Sequence, residues 1–331
     1  MKVLIFTEGG SQTGLGHISR CSSLYDEIES RGIAVEMIIN GNNKDLDMLQ
    51  GKNYKIVNWL SKDFLKKYVN KDVYCIIDSY LADENIYQLI SDRAKKCLYI
   101  DDNARINYPP GVIVNPSLST DGLVYSDDRN NGFLLGHKYI ILRRPFINQD
   151  RQKINKHVNT VLITMGGSGL NNLTLSVLNQ ISSRNPYLTF HVIVGKDSGS
   201  REKIINEIGT KIEMHQNITA YKMKKIMLDS DLAITAAGQT VYELLSTKTP
   251  FIPVKVAENQ KNNIESLKRF NLVEAVLDYQ DLITTEKLRD EFHKLNSFSL
   301  RCSLVQQYAG VVDGMGAKRI VDNLVGGKSY E

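Results

Sequence analysis

The stretch VLIFTEGGSQTGLGHISRCSSLYDEIESRG, residues 3–32, decides how this chain folds. It opens with a short apolar run, Val3 to Phe6, which is typical of a buried strand. A glycine-rich turn over residues 9–16 follows, and apolar residues then recur at helical spacing up to Gly32, where a helix is expected to end. Those apolar residues are Ile18, Cys21, Leu24, Tyr25 and Ile28. A strand, a glycine turn and a helix in this order predict the start of a βαβ unit.

The same order of elements continues along the chain and then begins again. Further strands are predicted at residues 33–39, 74–78, 97–101, 112–114, 160–164, 189–194, 231–235 and 251–254. Helical patterns separate them, so the strands should form parallel sheets. A polar stretch over residues 149–156 is the predicted linker. We therefore predict two doubly wound α/β domains, residues 1–148 and 149–331, which face each other across a cleft, with the last helix packing back on the first domain.

Length and composition limit the classes of protein to which the chain can belong. Its 331 residues suffice for about two domains. Lys and Arg number 41 against 37 Asp and Glu, and this small excess is spread along the chain, so no nucleic-acid partner is expected. No apolar run reaches the roughly 20 residues of a membrane-spanning helix, and the apolar start is too short for a signal peptide. We therefore expect no membrane span and a cytoplasmic location.

The spacing of cysteines and histidines predicts neither a metal site nor a cofactor. The four cysteines lack CxxC spacing and are interpreted as small buried side chains. They are Cys21, Cys75, Cys97 and Cys302. The six histidines form no HxxxH-type cluster, so they indicate no dedicated metal site.

The turn after the first predicted strand carries the first candidate site. Gly14 and Gly16 let the backbone approach a ligand closely, and His17 stands in the first turn of the helix. A neutral imidazole at this position can act as a general base, and a capping or core histidine is the alternative. Arg20 completes this motif. At the end of a later strand, Asp78-Ser79-Tyr80 offers a carboxylate and a phenol that can position a sugar or a water, or it forms an ordinary turn.

A second set of polar residues follows the strands of the second predicted domain. Gly167-Ser168 lies in a glycine turn that offers amides to an anion but lacks the lysine of a P-loop, which argues against nucleoside triphosphate hydrolysis. Gly238-Gln239-Thr240 starts a helix whose amides suit a diphosphate, and Glu243 can accept hydrogen bonds from ribose hydroxyls. Asn259-Gln260 offers side-chain amides to a sugar. For each residue alone, a polar helix cap is the alternative interpretation.

These motifs resemble those of nucleotide-sugar enzymes of the GT-B fold. The second half is similar to the UDP-GlcNAc transferase of peptidoglycan synthesis. The whole chain more closely resembles the UDP-sugar hydrolase of the pseudaminic acid pathway and its spore-coat polysaccharide relatives. The matching pieces are Gly14 to Arg20, Asp78-Ser79-Tyr80, Tyr99 to Asp102, Leu135-Gly136, Tyr139 to Arg144, Gly166 to Ser168, Ala237 to Glu243, Asn259-Gln260 and Asp313 to Ala317. The resemblance implies a GT-B fold of two Rossmann-like α/β domains, the first carrying the catalytic histidine and the second binding UDP.

The resemblance also implies an activity. The family's hydrolase converts UDP-2,4-diacetamido-2,4,6-trideoxy-β-L-altropyranose into UDP and the free sugar, which a later enzyme condenses into a nonulosonic acid. The catalytic histidine is carried onto His17, which would activate a water for inverting attack on the anomeric carbon, and active-site roles are carried onto Tyr80 and Asn259. UDP-sugar contacts are predicted at Gly14, Gly16, Arg20, Gly167, Ser168, Gly238, Gln239, Thr240, Glu243 and Gln260. This scheme requires no metal and no cofactor.

Other classes of protein remain as alternatives. A UDP-sugar-dependent transferase would use a hydroxyl acceptor in place of water, an epimerase would convert the sugar itself, and a non-catalytic sensor would bind the UDP-sugar without turnover. The turn Ala237-Gly238-Gln239 departs from the Gly-Gly-Ser/Thr sequence that is more usual in the family. The expected partner is a small-molecule UDP-sugar, and the chain is expected to be a monomer or a weak homodimer.

Overall fold

The computed structural model describes residues 1–10, 15–41, 47–125, 131–149, 151, 153–166, 171–194, 211–284 and 286–326. The chain divides into two compact units. Unit 1 is formed by Met1–Arg144 together with the segment that begins at Gly314, and unit 2 is formed by Pro145–Asp313.

The elements of the described residues alternate between strand and helix over most of the chain. The strands are β1 (Lys2–Gly9), β2 (Ala34–Gly41), β3 (Tyr54–Ile56), β4 (Val73–Asp78), β5 (Lys96–Ile100), β6 (Gly111–Asn115), β7 (Asn131–Leu135), β8 (Thr160–Thr164), β9 (Thr189–Val194), β10 (Lys211–Gln216), β11 (Leu232–Ala236), β12 (Phe251–Lys255) and β13 (Leu277–Asp278). The α-helices are α1 (Gly16–Glu29), α2 (Lys62–Tyr68), α3 (Glu84–Arg93), α4 (Asn171–Ser182), α5 (Ala220–Asp229), α6 (Thr240–Ser246), α7 (Lys261–Arg269), α8 (Asp281–Thr284), α9 (Lys287–Leu295), α10 (Phe298–Tyr308) and α11 (Gly316–Val325). Single 3₁₀ turns lie at Asp47–Leu49, His137–Tyr139, Arg144–Phe146 and Glu258–Gln260.

Unit 1 contains a parallel sheet of seven strands in the order β3-β2-β1-β4-β5-β6-β7. The first strand lies inside the sheet, between β2 and β4, and both of its faces are buried. Val3 and Ile5 pack on one face with residues of α1 and α11, whereas Leu4 and Phe6 pack on the other face with residues of α2 and α3. A strand that is covered on both sides needs apolar residues at consecutive positions, which explains the unbroken run at the start of the chain.

The C-terminal helix α11 belongs to unit 1 and packs against α1. Four of its apolar residues follow helical spacing and are buried. They are Ala317, Ile320, Val321 and Leu324. The helix begins at Gly316, where a Cβ atom would overlap the carbonyl oxygen of Ile140. A glycine is therefore needed for this close approach between helix and backbone.

Unit 2 contains a parallel sheet of six strands in the order β10-β9-β8-β11-β12-β13. Its first strand, β8, again lies inside the sheet, between β9 and β11. In both units the strand order therefore reverses beside the first strand, at the point where ligands of open α/β sheets bind.

The passage between the units lies at Arg144, four residues before the predicted end of the first domain at residue 148. The Arg144 guanidinium donates to the carbonyl oxygen of Asp26 in unit 1. Two residues later, Phe146 is fully buried in unit 2, where its carbonyl oxygen accepts a hydrogen bond from Ser246. Pro145 and Phe146 thus already belong to the second core.

Across the described parts of the chain, every helix is too short or too polar to span a bilayer.

Candidate active site

The carboxyl ends of three neighbouring strands bring acidic side chains to one edge of the unit 1 sheet. Glu8 lies near the end of β1, Asp78 is the last residue of β4, and Asp102 follows β5. Glu8 and Asp78 are 1% and 0% exposed. Helix α1 is the next element after β1 and starts at Gly16, so its first two turns place His17 and Arg20 beside these carboxylates. Parallel order is the reason that residues so distant in sequence meet at one edge.

The guanidinium of Arg20 links two of these carboxylates. Its Nε and Nη2 atoms donate to the two oxygens of Asp78, each at 2.6 Å. Its Nη1 atom donates to both oxygens of Asp102, each at 2.8 Å. The contact with Asp78 is a planar fork of two parallel hydrogen bonds, the geometry in which arginine binds carboxylates most strongly, whereas a single nitrogen serves both oxygens of Asp102. Arg20 was predicted as a substrate contact, but its side chain is 3% exposed and its donors are engaged with these aspartates.

Charge and burial act on the titration of this network. Burial opposes the ionised form of Asp78, but the charges of Arg20 and then of His17 hold the pKa of its carboxyl below the usual range. Burial likewise works against the Arg20 cation, while Asp102 and Asp78 raise its pKa above the ordinary value. Asp78 and Arg20 are therefore both ionised at neutral pH.

Tyr80 joins this network through three contacts. Its hydroxyl donates to Asp102 Oδ2 at 2.8 Å, and its backbone N–H donates to Glu8 Oε1 at 2.7 Å. Its ring meets the imidazole of His17 edge to face, with the ring centroids 4.5 Å apart. Burial, followed by the charge of Asp102, raises the pKa of the Tyr80 phenol. The phenol therefore stays protonated and acts as a donor at neutral pH.

His17 presents one ring nitrogen to two buried carboxylates. Its Nδ1 atom lies 3.7 Å from Asp78 Oδ1 and 3.9 Å from Glu8 Oε1. This atom is buried and has no hydrogen-bond partner among the described residues. Carboxylates on one side of an imidazole favour the tautomer that carries its proton on that side, which leaves the lone pair on Nε2. The arrangement suits a proton acceptor at Nε2.

Glu8 is a residue that sequence reasoning missed. It lies beyond the predicted strand Val3 to Phe6 and was not among the predicted site residues, although it is buried and its carboxylate organises the turn after β4. It accepts hydrogen bonds from the Ser79 hydroxyl and from the backbone N–H groups of Tyr80 and Leu81. A carboxylate within an otherwise apolar strand was the available signal, because such a group is buried only where donors satisfy it.

In unit 2, the turn after β11 brings Gly238 and Gln260 together. A Cβ atom at Gly238 would lie 3.8 Å from the side-chain nitrogen of Gln260, whose oxygen accepts from the Val256 backbone at 2.9 Å. Asn263 supports the same turn, because its side-chain nitrogen donates to the carbonyl oxygen of Ala237 at 3.1 Å. The hydrogen bond from Val256 to the Gln260 oxygen thus holds this side chain in place, with its nitrogen beside Gly238.

The other predicted contact residues lie on or directly before α6, on the 3₁₀ turn before α7, or outside the described residues. Gln239 precedes α6 and Thr240 is its first residue, and Glu243 is buried within the helix. Asn259 is exposed in the 3₁₀ turn Glu258–Gln260. Gly14, Gly167 and Ser168 lie outside the described residues. The structure therefore brings together His17, Arg20 and Tyr80 in unit 1, and Gly238 with Gln260 in unit 2.

Residues 160–322 match the model of the glycosyltransferase family 28 C-terminal domain. Among curated proteins, the pseudaminic acid cytidylyltransferase and UDP-2,4-diacetamido-2,4,6-trideoxy-beta-L-altropyranose hydrolase of Helicobacter pylori is 26% identical over 85% of this chain and 51% of its own. An uncharacterized protein of Methanocaldococcus jannaschii is 27% identical over 79% of this chain and 57% of its own. The chain thus spans little more than half the length of these two relatives.

Two further relatives are matched over nearly their full length. The UDP-2,4-diacetamido-2,4,6-trideoxy-beta-L-altropyranose hydrolase of Campylobacter jejuni is 24% identical over 79% of this chain and 94% of its own. The spore coat polysaccharide biosynthesis protein SpsG of Bacillus subtilis is 24% identical over 97% of this chain and 96% of its own. These relatives confirm the resemblance that the sequence motifs predicted.

Solved structures show the fold. MurG of Acinetobacter baumannii has a TM-score of 0.65 at 14% identity, covering 98% of this chain and 100% of that chain. The spinosyn rhamnosyltransferase SpnG has a TM-score of 0.62 at 12% identity, again over 98% of this chain and 100% of that chain. The predicted fold class is confirmed: the chain is an α/β protein of the GT-B fold, similar in sequence to UDP-sugar hydrolases and to SpsG.

Proposed function

We propose that this chain hydrolyses UDP-2,4-diacetamido-2,4,6-trideoxy-β-L-altropyranose to UDP and the free 2,4-diacetamido sugar. The observation that carries the proposal is the environment of His17, whose Nδ1 faces Asp78 and Glu8 and whose ring lies against Tyr80. Hydrolysis requires a base for water, and a histidine with carboxylates on one side is suited to that role. The substrate that we propose is the one given in the names of the Helicobacter pylori and Campylobacter jejuni hydrolases.

In the proposed reaction, His17 carries its proton on Nδ1 and uses the lone pair on Nε2. Nε2 accepts a proton from a water molecule, and the water oxygen bonds to the anomeric carbon on the face opposite UDP. The bond from that carbon to the UDP oxygen breaks, UDP leaves with the electron pair, and the anomeric configuration inverts. Asp78 and Glu8 stabilise the imidazolium that forms, as carboxylates do in other histidine bases. A positioned base of this kind contributes about 10²–10⁴ in rate.

Unit 2 is proposed to hold UDP. The amides of Gly238-Gln239-Thr240 would bind the diphosphate, Glu243 the ribose hydroxyls, and Asn259-Gln260 the amide-bearing sugar. Gly14, Gly16, Gly167 and Ser168 are proposed as further contacts. For Arg20 we propose a positioning role, because its guanidinium holds Asp78 and Asp102. Support in unit 2 comes from the Gln260 amide, which lies beside Gly238.

A UDP-sugar-dependent transferase is the second candidate function, and the match of residues 160–322 to a glycosyltransferase domain favours it. It would use the same groups, with a sugar hydroxyl in place of water as the nucleophile. The two functions differ in whether UDP forms without an acceptor.

Phosphorus NMR of the purified chain with this substrate, in ¹⁸O-labelled water with excess chelator and no acceptor, tests the proposal. Hydrolysis predicts that UDP appears and that mass spectrometry finds the label in the sugar and none in UDP. Label in the phosphate groups of UDP would show that water attacks phosphorus, and this result would contradict the proposed step. Intact substrate, despite measured UDP binding, would favour the transferase.

A further inference from the structure

Three potential metal ligands meet on one face of the unit 2 sheet. His191 lies on β9, and Glu213 and His215 lie on the neighbouring strand β10. The strand register places Glu213 opposite His191, and His215 follows two residues later on the same face. Sequence spacing alone does not indicate this cluster, because it forms only when the two strands pair.

The ligand atoms of these side chains are close enough to share one ion. His191 Nδ1 lies 3.0 Å from His215 Nε2 and 3.5 Å from Glu213 Oε2. All three ligand atoms fall within 4.8 Å of one another. A tetrahedral zinc shell, with bonds of about 2.0–2.2 Å, holds its ligand atoms about 3.3–3.5 Å apart. Small side-chain rotations therefore suffice to bring the three atoms around a metal.

Charged side chains of both signs face the cluster. Lys211, on β10, lies 3.5 Å from Glu213 Oε1, whereas His191 faces Oε2. From helix α5, Lys222 opposes positive charge at His191 and Asp229 favours it.

We propose that His191, Glu213 and His215 bind one divalent transition-metal ion of the zinc class. Two imidazoles and one carboxylate are a common zinc ligand set, and three protein ligands leave a fourth position for water. The ion would fasten β10 to β9 at the edge of the described sheet. The Glu213 side chain is 43% exposed, so the ion has a route from solvent. This proposal is independent of the proposed hydrolase, whose base lies in unit 1.

The test uses the 331-residue chain without an affinity tag, stripped with EDTA and titrated with ZnCl₂ by calorimetry. We expect one equivalent to bind with a Kd in the micromolar range or below, and the melting temperature to rise with added zinc. His215→Ala should weaken binding at least tenfold, whereas His157→Ala, which removes an exposed histidine of the same unit, should not. With Co²⁺ in place of Zn²⁺, visible absorption bands typical of four-coordinate cobalt are expected.

A second variant keeps the proposal testable if His215→Ala fails to fold. Lys222→Met retains all three ligands and removes a positive charge that opposes the ion, so it should bind zinc severalfold more tightly than the wild type. Absence of stoichiometric zinc binding by the wild-type chain would overturn the proposal. Equal loss of binding in His215→Ala and His157→Ala would also overturn it.

Discussion

Around His17, each neighbouring carboxylate is itself held in place. Asp78 is fixed by the fork of Arg20, and Glu8 is fixed by the Ser79 hydroxyl and the Tyr80 backbone. The imidazole therefore takes its orientation from groups that cannot turn away into solvent. A histidine that acts as a base needs such supporting contacts, because they keep the same ring nitrogen directed at the substrate.

Replacing Arg20 with Met should destabilise unit 1 strongly. The change leaves the buried carboxylate of Asp78 and the partly buried one of Asp102 without their cation, and breaking a buried pair costs about 3–5 kcal/mol. Urea unfolding followed by the fluorescence of Trp59, the single tryptophan and a fully buried residue of unit 1, measures this loss. Lys2→Met, which removes a half-exposed ion pair of the same unit, is the control and should cost at most about 1 kcal/mol. Equal losses would contradict the structural role of Arg20.

Tyr80→Phe should lower kcat by about tenfold, the equivalent of one lost hydrogen bond. The phenol donates to Asp102 but does not titrate near neutral pH, because burial and then Asp102 raise its pKa. The pH profile of kcat/KM should therefore keep its wild-type shape between about pH 5 and about pH 8. The exposed Tyr187→Phe serves as the matched control. A displaced profile would mean that Tyr80 supplies the titrating group.

The packing of helix α11 against the rest of unit 1 depends on one glycine, Gly316. Gly316→Ala introduces a methyl group that overlaps the carbonyl oxygen of Ile140, so the helix must shift away from its site. We expect a loss of about 1–3 kcal/mol, measured by the fluorescence of Trp59. In Gly132→Ala, the new methyl group would lie 3.5 Å from Val112, an ordinary contact, so this control should stay close to wild type. A neutral Gly316→Ala would contradict the close approach.

Strands that are buried on both faces were predictable from sequence, and edge strands were not. β1 and β11 each contain a short apolar run that a glycine turn follows in the sequence, so their positions and the motifs behind them could be predicted. β10, at the sheet edge, has the sequence Lys-Ile-Glu-Met-His-Gln, which contains only two apolar residues and none of the consecutive apolar positions by which the other strands were predicted. The His191 cluster was missed for that reason.

The candidate site was predictable in part. His17 and Tyr80 belong to local motifs, and the structure places their rings in contact. The ion pairs of Arg20 join residues separated by 58 and 82 positions, so no local pattern contains them. Only the strand order brings these residues to one edge. The role of Arg20 in fixing the carboxylates therefore emerged from the fold.

At the scale of the whole molecule, stability should fall in acid. Despite the opposing effect of burial, cations hold the pKa of three carboxyls of unit 1 below the usual range: Arg20 at Asp78, Lys2 and Lys55 at Glu36, and Lys318 and Arg31 at Asp322. A carboxyl with a lowered pKa in the folded state adds stability above its ordinary pKa, and this stability disappears as pH falls through the lowered value.

The free energy of unfolding of unit 1 should therefore decrease as pH drops below about 4. Asp101 acts in the opposite direction, because burial raises its pKa. Urea midpoints from Trp59 fluorescence at pH 7, 5, 4 and 3, values chosen around the ordinary carboxyl pKa of about 4, measure the slope. A midpoint that rises toward pH 3 would mean that carboxyls with raised pKa values dominate.

The rate of UDP release by His17→Ala tests most directly whether His17 is the base. We expect the variant to lose about 10²–10⁴ in kcat relative to the wild type, while calorimetry shows unchanged affinity for UDP. His137→Ala, an exposed histidine of the same unit, should keep wild-type turnover. Near wild-type release of UDP by His17→Ala would contradict the assignment of this residue as the catalytic base.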